Sequence, residues 1–103
     1  MATIPQTVAS QLPGIQELCR EFEVKELSLF GSALTQRFGP ESDYDLLVEF
    51  DPDAHVGLFR FAALQERLEK LLQRKVDLVS KPGLKPFLKP SILGSAEVIY
   101  ARG

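Results

Sequence analysis

The chain has 103 residues, of which 45% are apolar and 25% charged, and its net charge is −2. That length bounds residues 1–103 to a single domain with a real core, and the composition is in the ordinary globular range. A general nucleic-acid binder would be basic, so the slightly acidic balance argues against stable nucleic-acid binding.

In chain order, Pro13 and Gly14 precede Ile15, Leu18, Cys19 and Phe22, which fall at helical spacing, and Pro13 suits a first helical turn. Leu27 to Phe30 predicts a short strand. Ser32 to Phe38 predicts a short helix, closed by Gly39-Pro40. Tyr44 to Phe50 is the most apolar strand and belongs in the centre of a sheet. Asp51-Pro52-Asp53 is a turn. Leu58, Phe61, Leu64, Leu68, Leu71 and Leu72 mark one face of a helix over Gly57–Gln73, with Glu66 and Lys70 as an i,i+4 pair. Phe59 and Phe61 cannot both sit at the centre of that face; the outlying ring reads either as exposed near a partner surface or, the favoured expectation, as a boundary core residue. Val76 to Val79 predicts a third strand, Ser80 to Pro90 a loop or short turns, Ile92 to Ala96 a helical turn and Val98 to Tyr100 a last strand. This alternation predicts an α/β (α+β) fold, a small mixed β-sheet with helices packed on it.

No stretch reaches the roughly 20 apolar residues that span a bilayer, and Met1 to Pro5 has neither a basic nor an apolar leader pattern, so the cytoplasm is the expected location. Cys19 is the only cysteine, which excludes an intrachain disulfide and reads as a small core residue. His55, the only histidine, reads as a solvated loop residue. Charge is uneven: six basic and twelve acidic residues up to Gln73 leave −6, and six basic against two acidic from Arg74 onward leave +4. Lys81, Lys85 and Lys89 repeat with Pro82, Pro86 and Pro90, which is no regular helix face; the segment reads as solvated lysines or as an arm toward a partner.

The chemistry concentrates in two acid-bearing strands and one turn. Gly31 follows a strand and precedes a helix start, so the backbone can turn sharply and a ligand can approach closely. Ser32 is a good helix cap whose neighbouring N–H groups would attract phosphate oxygens, although a plain strand-to-helix turn has the same residues. Asp43 and Asp45 lie two residues apart, so on a strand they share a face at a spacing of about 7 Å. Adjacent like charges are costly unless something positive lies between them, and a divalent cation is the simplest resolution. Asp43 also reads as a turn residue at the strand entry. Asp77, inside Val76-Asp77-Leu78-Val79, joins the pair if the two strands are neighbours; it also reads as a strand-edge carboxylate paired with Arg74 or Lys75. Three carboxylates suit partly hydrated Mg²⁺, and two such ions would clamp the attacking and leaving oxygens of a phosphoryl or nucleotidyl transfer. Asp77 could also accept the proton of the attacking hydroxyl.

Phe30-Gly31-Ser32, ten residues, Asp43-Tyr44-Asp45-Leu46 and later Val76-Asp77-Leu78-Val79 together resemble the minimal nucleotidyltransferase (MNT) family, within the DNA polymerase β-like nucleotidyltransferase superfamily. The resemblance runs from Leu27 to Tyr100. It implies a nucleotidyltransferase-like core in which Gly31 and Ser32 hold the nucleotide phosphates and Asp43, Asp45 and Asp77 bind Mg²⁺ and form the catalytic set, with ATP as substrate. Many members are antitoxins paired with a HEPN-domain ribonuclease toxin, silenced by AMP transfer to a toxin tyrosine or by binding, so a hetero-oligomer with such a toxin is implied. Ala33 departs from the basic residue that many members carry after Gly-Ser; Arg37 is the nearest cation. Three readings follow: an enzyme that transfers AMP to a partner protein, a non-catalytic antitoxin that neutralises its toxin by binding, and a nucleotide- or metal-sensing regulator or transferase for another acceptor.

Overall fold

The computed structural model describes residues 4–31, 43–84, 86, 87 and 89–102. Helices α1 (Gln6–Ser10) and α2 (Leu12–Glu21) lead into strands β1 (Val24–Phe30) and β2 (Tyr44–Phe50). Helix α3 (Leu58–Leu72), strand β3 (Val76–Ser80), a 3-10 turn at Lys81–Gly83, helix α4 (Lys89–Ser95) and strand β4 (Glu97–Ala101) follow.

The four strands form one mixed sheet in the order β3-β2-β1-β4. β1 runs antiparallel to both β2 and β4, while β2 and β3 are parallel. Parallel neighbours need a crossover, and α3 supplies it. The register pairs Phe30 with Asp45 and Asp45 with Asp77.

Alternation along the strands divides the sheet into two faces. Leu27, Leu29, Tyr44, Leu46, Val48, Val76 and Leu78 share a buried cluster with Ile15, Leu18 and Cys19 of α2 and Leu64, Leu68 and Leu72 of α3. The α3 residues recur every four positions, which keeps them on one side of the helix. The other face carries Glu26 and Glu49 directly opposite one another, and Lys81 lies 3.9 Å and 3.3 Å from them. One lysine thus offsets the repulsion between two cross-strand carboxylates and ties the turn after β3 to the sheet.

A second set of contacts joins the helices. Phe22 has the guanidinium groups of Arg60 and Arg67 within 5.6 Å and 5.8 Å of its ring centre. Arg67 pairs with Glu21 at 3.0 Å, and Arg60 donates to the Glu21 carbonyl at 2.8 Å. Glu66 and Lys70 form their i,i+4 pair at 3.3 Å.

The expected strands and the α3 helix are present, β2 over the predicted residues. β1 starts three residues early, because Val24 reaches the core while Lys25 and Glu26 face outward. Helix α1 was not expected from the sequence, and α4 begins at Lys89 rather than Ile92, which puts Pro90 in its first turn where no N–H partner is needed. Phe59 departs from the boundary-core expectation: it is 91% exposed, while Phe61 packs against the core and meets Phe50 edge-on at 6.3 Å. Cys19 is buried, as its spacing implied, and burial pushes its thiol up to about 12, with Arg20 opposing the shift. Lys85 and the segment expected as the Ser32–Phe38 helix lie outside the described residues.

Leu46 is fully buried at the centre of β2. Leu46→Ala should lower unfolding free energy by about 2–5 kcal/mol in chemical denaturation, the cost of a core cavity; a change under about 1 kcal/mol would place β2 outside the core.

Candidate active site

The candidate site forms at the end of the sheet where β1 finishes and β2 and β3 begin. Because β2 and β3 are parallel and in register, Asp45 and Asp77 stand side by side on neighbouring strands. Tyr44 and Val76, one position earlier, are buried in the core. Strand alternation therefore turns Asp43, Asp45 and Asp77 to the opposite face. Asp43 and Asp77 are exposed and Asp45 is half-buried.

Burial pushes the Asp45 carboxyl above the usual aspartate range, and the charges of Asp77 and Asp43 push it further. No lysine or arginine among the described residues forms an ion pair with Asp43, Asp45 or Asp77. Elsewhere in the chain, carboxylates such as Glu21, Glu49 and Asp51 do have such partners. Of the strand-edge alternative for Asp77, a pair with Arg74 or Lys75, the Lys75 pair is not formed among the described residues.

Gly31 closes the β1 side of the site. Its φ is +76°, a left-handed conformation that favours glycine, and a Cβ there would collide with Asp45 Oδ2. The absence of a side chain lets the turn lie directly against the carboxylate. Ser32, Ala33 and Arg37 lie outside the described residues.

The three acids are neighbours without being a closed cage: among the described residues, no three Asp, Glu, His or Cys side chains gather closely enough to hold a metal ion. Like charges hold unscreened carboxylates apart. The donor chemistry nevertheless fits a hard divalent cation, because the acids are all oxygen donors, two are open to solvent, and among the described residues none of them forms an ion pair.

Sequence reasoning did not single out the frame that holds this end of the sheet. Gln73 caps α3 in the left-handed region at φ +53°, the Glu69 carboxylate accepts the Val76 N–H at 3.0 Å, and the Lys75 carbonyl accepts the Tyr44 N–H at 3.0 Å. The Arg74 guanidinium lies 5.4 Å from the centre of the Tyr44 ring. A cavity of about 770 Å³ lies elsewhere, between α2 and β4 with Arg20, Asp51 and Arg102 in its lining, and contains none of the candidate acids.

A family model described as a nucleotidyltransferase domain matches residues 14–99. The protein adenylyltransferase MntA of Thermococcus cleftensis is 39% identical over 85 residues, which cover 82% of each chain. A solved structure described as a minimal nucleotidyltransferase has a TM-score of 0.77 at 33% identity, covering 89% of this chain and 92% of that one. A chain in the solved complex of a tri-AMPylated Shewanella oneidensis HEPN toxin with an MNT antitoxin has a TM-score of 0.66 at 18% identity, covering 92% and 73%; this likeness is one of fold.

Two predictions follow from the crowded acids. The raised carboxyl of Asp45 means that the folded chain binds this proton more tightly than the unfolded chain. Its contribution to stability is therefore full below the ordinary aspartate value and is lost as pH rises through the raised value. In EDTA, thermal melts should show Asp45→Asn gaining on wild type as pH rises from acid to neutral, and a constant difference would contradict the shift. Gly31→Ala should lose about 1–2 kcal/mol from its left-handed backbone alone, with the Asp45 collision added, as read by urea denaturation.

Proposed function

The chain belongs to the nucleotidyltransferase domain family, and from that premise we propose that it is a Mg²⁺-dependent protein adenylyltransferase acting as an antitoxin. It moves AMP from ATP to a partner protein, a HEPN-type toxin with a tyrosine as acceptor, and forms a hetero-oligomer with it. The observation that carries this reading is the row formed by Gly31, Asp45 and Asp77, in which crowded carboxylates that form no ion pair among the described residues lie beside a turn with no side chain.

Gly31 and Ser32 hold the nucleotide phosphates, with the missing Gly31 side chain letting the turn sit directly against Asp45 so that the phosphates and the acids share one site. Asp43, Asp45 and Asp77 would hold one or two Mg²⁺ ions, which when bound would neutralise the carboxylates and the phosphate charge. Asp77 takes the proton of the acceptor hydroxyl. The hydroxyl oxygen bonds to the α-phosphorus, the bond from that phosphorus to the bridging oxygen of the β-phosphate breaks, and pyrophosphate leaves. The products are an adenylylated side chain and pyrophosphate, and the proton passes from Asp77 to solvent.

The likeness to an adenylyltransferase of almost equal length supports reading residues 1–103 as one minimal domain whose acceptor site the partner completes. No helix among the described residues is long and apolar enough to cross a membrane, and Cys19 is a free thiol, which supports action in the cytoplasm.

One observation favours a second reading, neutralisation by binding alone. Leu58 and Phe59 at the start of α3 are 80% and 91% exposed, a pair of large apolar side chains suited to a protein contact. Intact-mass spectrometry separates the two. The candidate partner, incubated with the chain, ATP and Mg²⁺, should gain one or more AMP units. The Asp43→Asn, Asp45→Asn double variant should lower that transfer by at least about a hundredfold while the complex still forms, consistent with loss of metal and phosphate stabilisation. A stable complex with no added mass from wild type would establish the binding-only antitoxin.

A further inference from the structure

The acids occupy three corners of a four-residue array, and the fourth corner is a lysine. Asp43 and Lys75 immediately precede β2 and β3, one step outside the Tyr44–Val76 register pair, and the Tyr44 N–H donates to the Lys75 carbonyl at 3.0 Å. Val76 is buried, whereas Lys75 and Asp77 are exposed, so the lysine leaves the chain on the same side as the acids. Lys75 and Asp77 are separated along the chain by about 7 Å, two strand residues. Among the described residues Lys75 forms no ion pair, even with Asp43 opposite.

Strand order gives this corner a side. Gly31 lies against Asp45 from the β1 side, and Asp77 flanks it from the β3 side. This step rests on the reading above, in which the phosphates lie at Gly31 and Ser32. Entering and leaving oxygens lie roughly in line across the α-phosphorus. With pyrophosphate leaving toward β1, the acceptor hydroxyl must enter from β3, over Asp77 and beside Lys75. β3 is an edge strand, so no further strand blocks that approach among the described residues.

We propose that Lys75 is an acceptor-recognition residue: its ammonium binds an anionic group on the acceptor polypeptide beside the hydroxyl that receives AMP. The backbone on both sides is held by the Glu69 carboxylate on the Val76 N–H and by the left-handed cap at Gln73, so the lysine projects from a fixed base. Two sources supply the required anion. One is an aspartate or glutamate next to the acceptor hydroxyl. The other is the phosphodiester of an AMP already attached, which would favour successive additions on one acceptor.

The test is equilibrium binding, which does not require turnover. Fluorescence anisotropy is measured with the full chain, AMP-PNP and Mg²⁺ on three labelled tyrosyl peptides. In one, aspartates flank the tyrosine; in the second, asparagines; the third is the asparagine peptide with AMP on the tyrosine oxygen. Wild type should bind the aspartate or the AMP-bearing peptide about fivefold more tightly than the plain asparagine peptide, the scale of one exposed ion pair. Lys75→Gln should bring the peptides to parity, and Lys75→Arg should keep the preference. Which anionic peptide is favoured identifies the source. No preference in wild type, or a preference that survives Lys75→Gln, overturns the inference. A preserved preference in a wild-type chain that transfers no AMP to any acceptor would instead strike at the adenylyltransferase reading and leave anion recognition at Lys75 standing.

Discussion

The parallel register between β2 and β3 is the constraint on which the rest of the site depends. Pairing Tyr44 with Val76 brings Asp45 level with Asp77, and the antiparallel pairing on the other side brings Phe30 level with Asp45. A slip of one residue in either pairing would send every side chain of that strand to the other face. Tyr44, Leu46 and Val48 make such a slip expensive, because all three are buried beneath the helices. The apolar core thus fixes the position of the acids although it never touches their charges.

That arrangement is locally unfavourable. Asp45 is half-buried beside two other carboxylates, and among the described residues no ion pair relieves it. Glu26 and Glu49, also paired across strands, show the usual structural remedy in Lys81. The contrast within one sheet face is informative: the Glu26–Glu49 pair has an ion-paired lysine, while among the described residues the acids beside Gly31 form no ion pair. Strain of this kind persists where the surrounding structure over-determines it. Here the α2–α3 clamp around Phe22 and the Glu69–Val76 contact supply part of that surrounding rigidity.

Much of this was legible in the sequence. Tyr44 to Phe50 declared itself through an unbroken apolar centre, and the heptad-like leucines of α3 through their spacing. The sequence left the joining of Asp77 to Asp43 and Asp45 conditional on neighbouring strands, and the parallel register of β2 and β3 places Asp45 level with Asp77. The nucleotidyltransferase reading agrees with the matched family and relatives. Other features depended on tertiary context. Helix α1 is only five residues long and buries one side chain, Val8, too little to leave a periodic pattern. Val24 extends β1 through a polar stretch because its own side chain reaches the core. Phe59 is exposed because Leu64, Leu68 and Leu72 set which side of α3 turns inward. The fourth corner of the acid array, Lys75, depends on register, which no local spacing reveals.

Paramagnetic broadening reads whether the carboxylates of Asp43, Asp45 and Asp77 hold a divalent cation, as proposed. Mn²⁺ shares the preference of Mg²⁺ for oxygen ligands and broadens nearby amide resonances. In a titration of the ¹⁵N-labelled chain with sub-stoichiometric Mn²⁺, the amides of Gly31, of Asp43 to Leu46 and of Val76 to Leu78 should broaden first, and excess Mg²⁺ should restore them. Broadening that begins instead around Glu26 and Glu49, or none at this end of the sheet, would contradict the account.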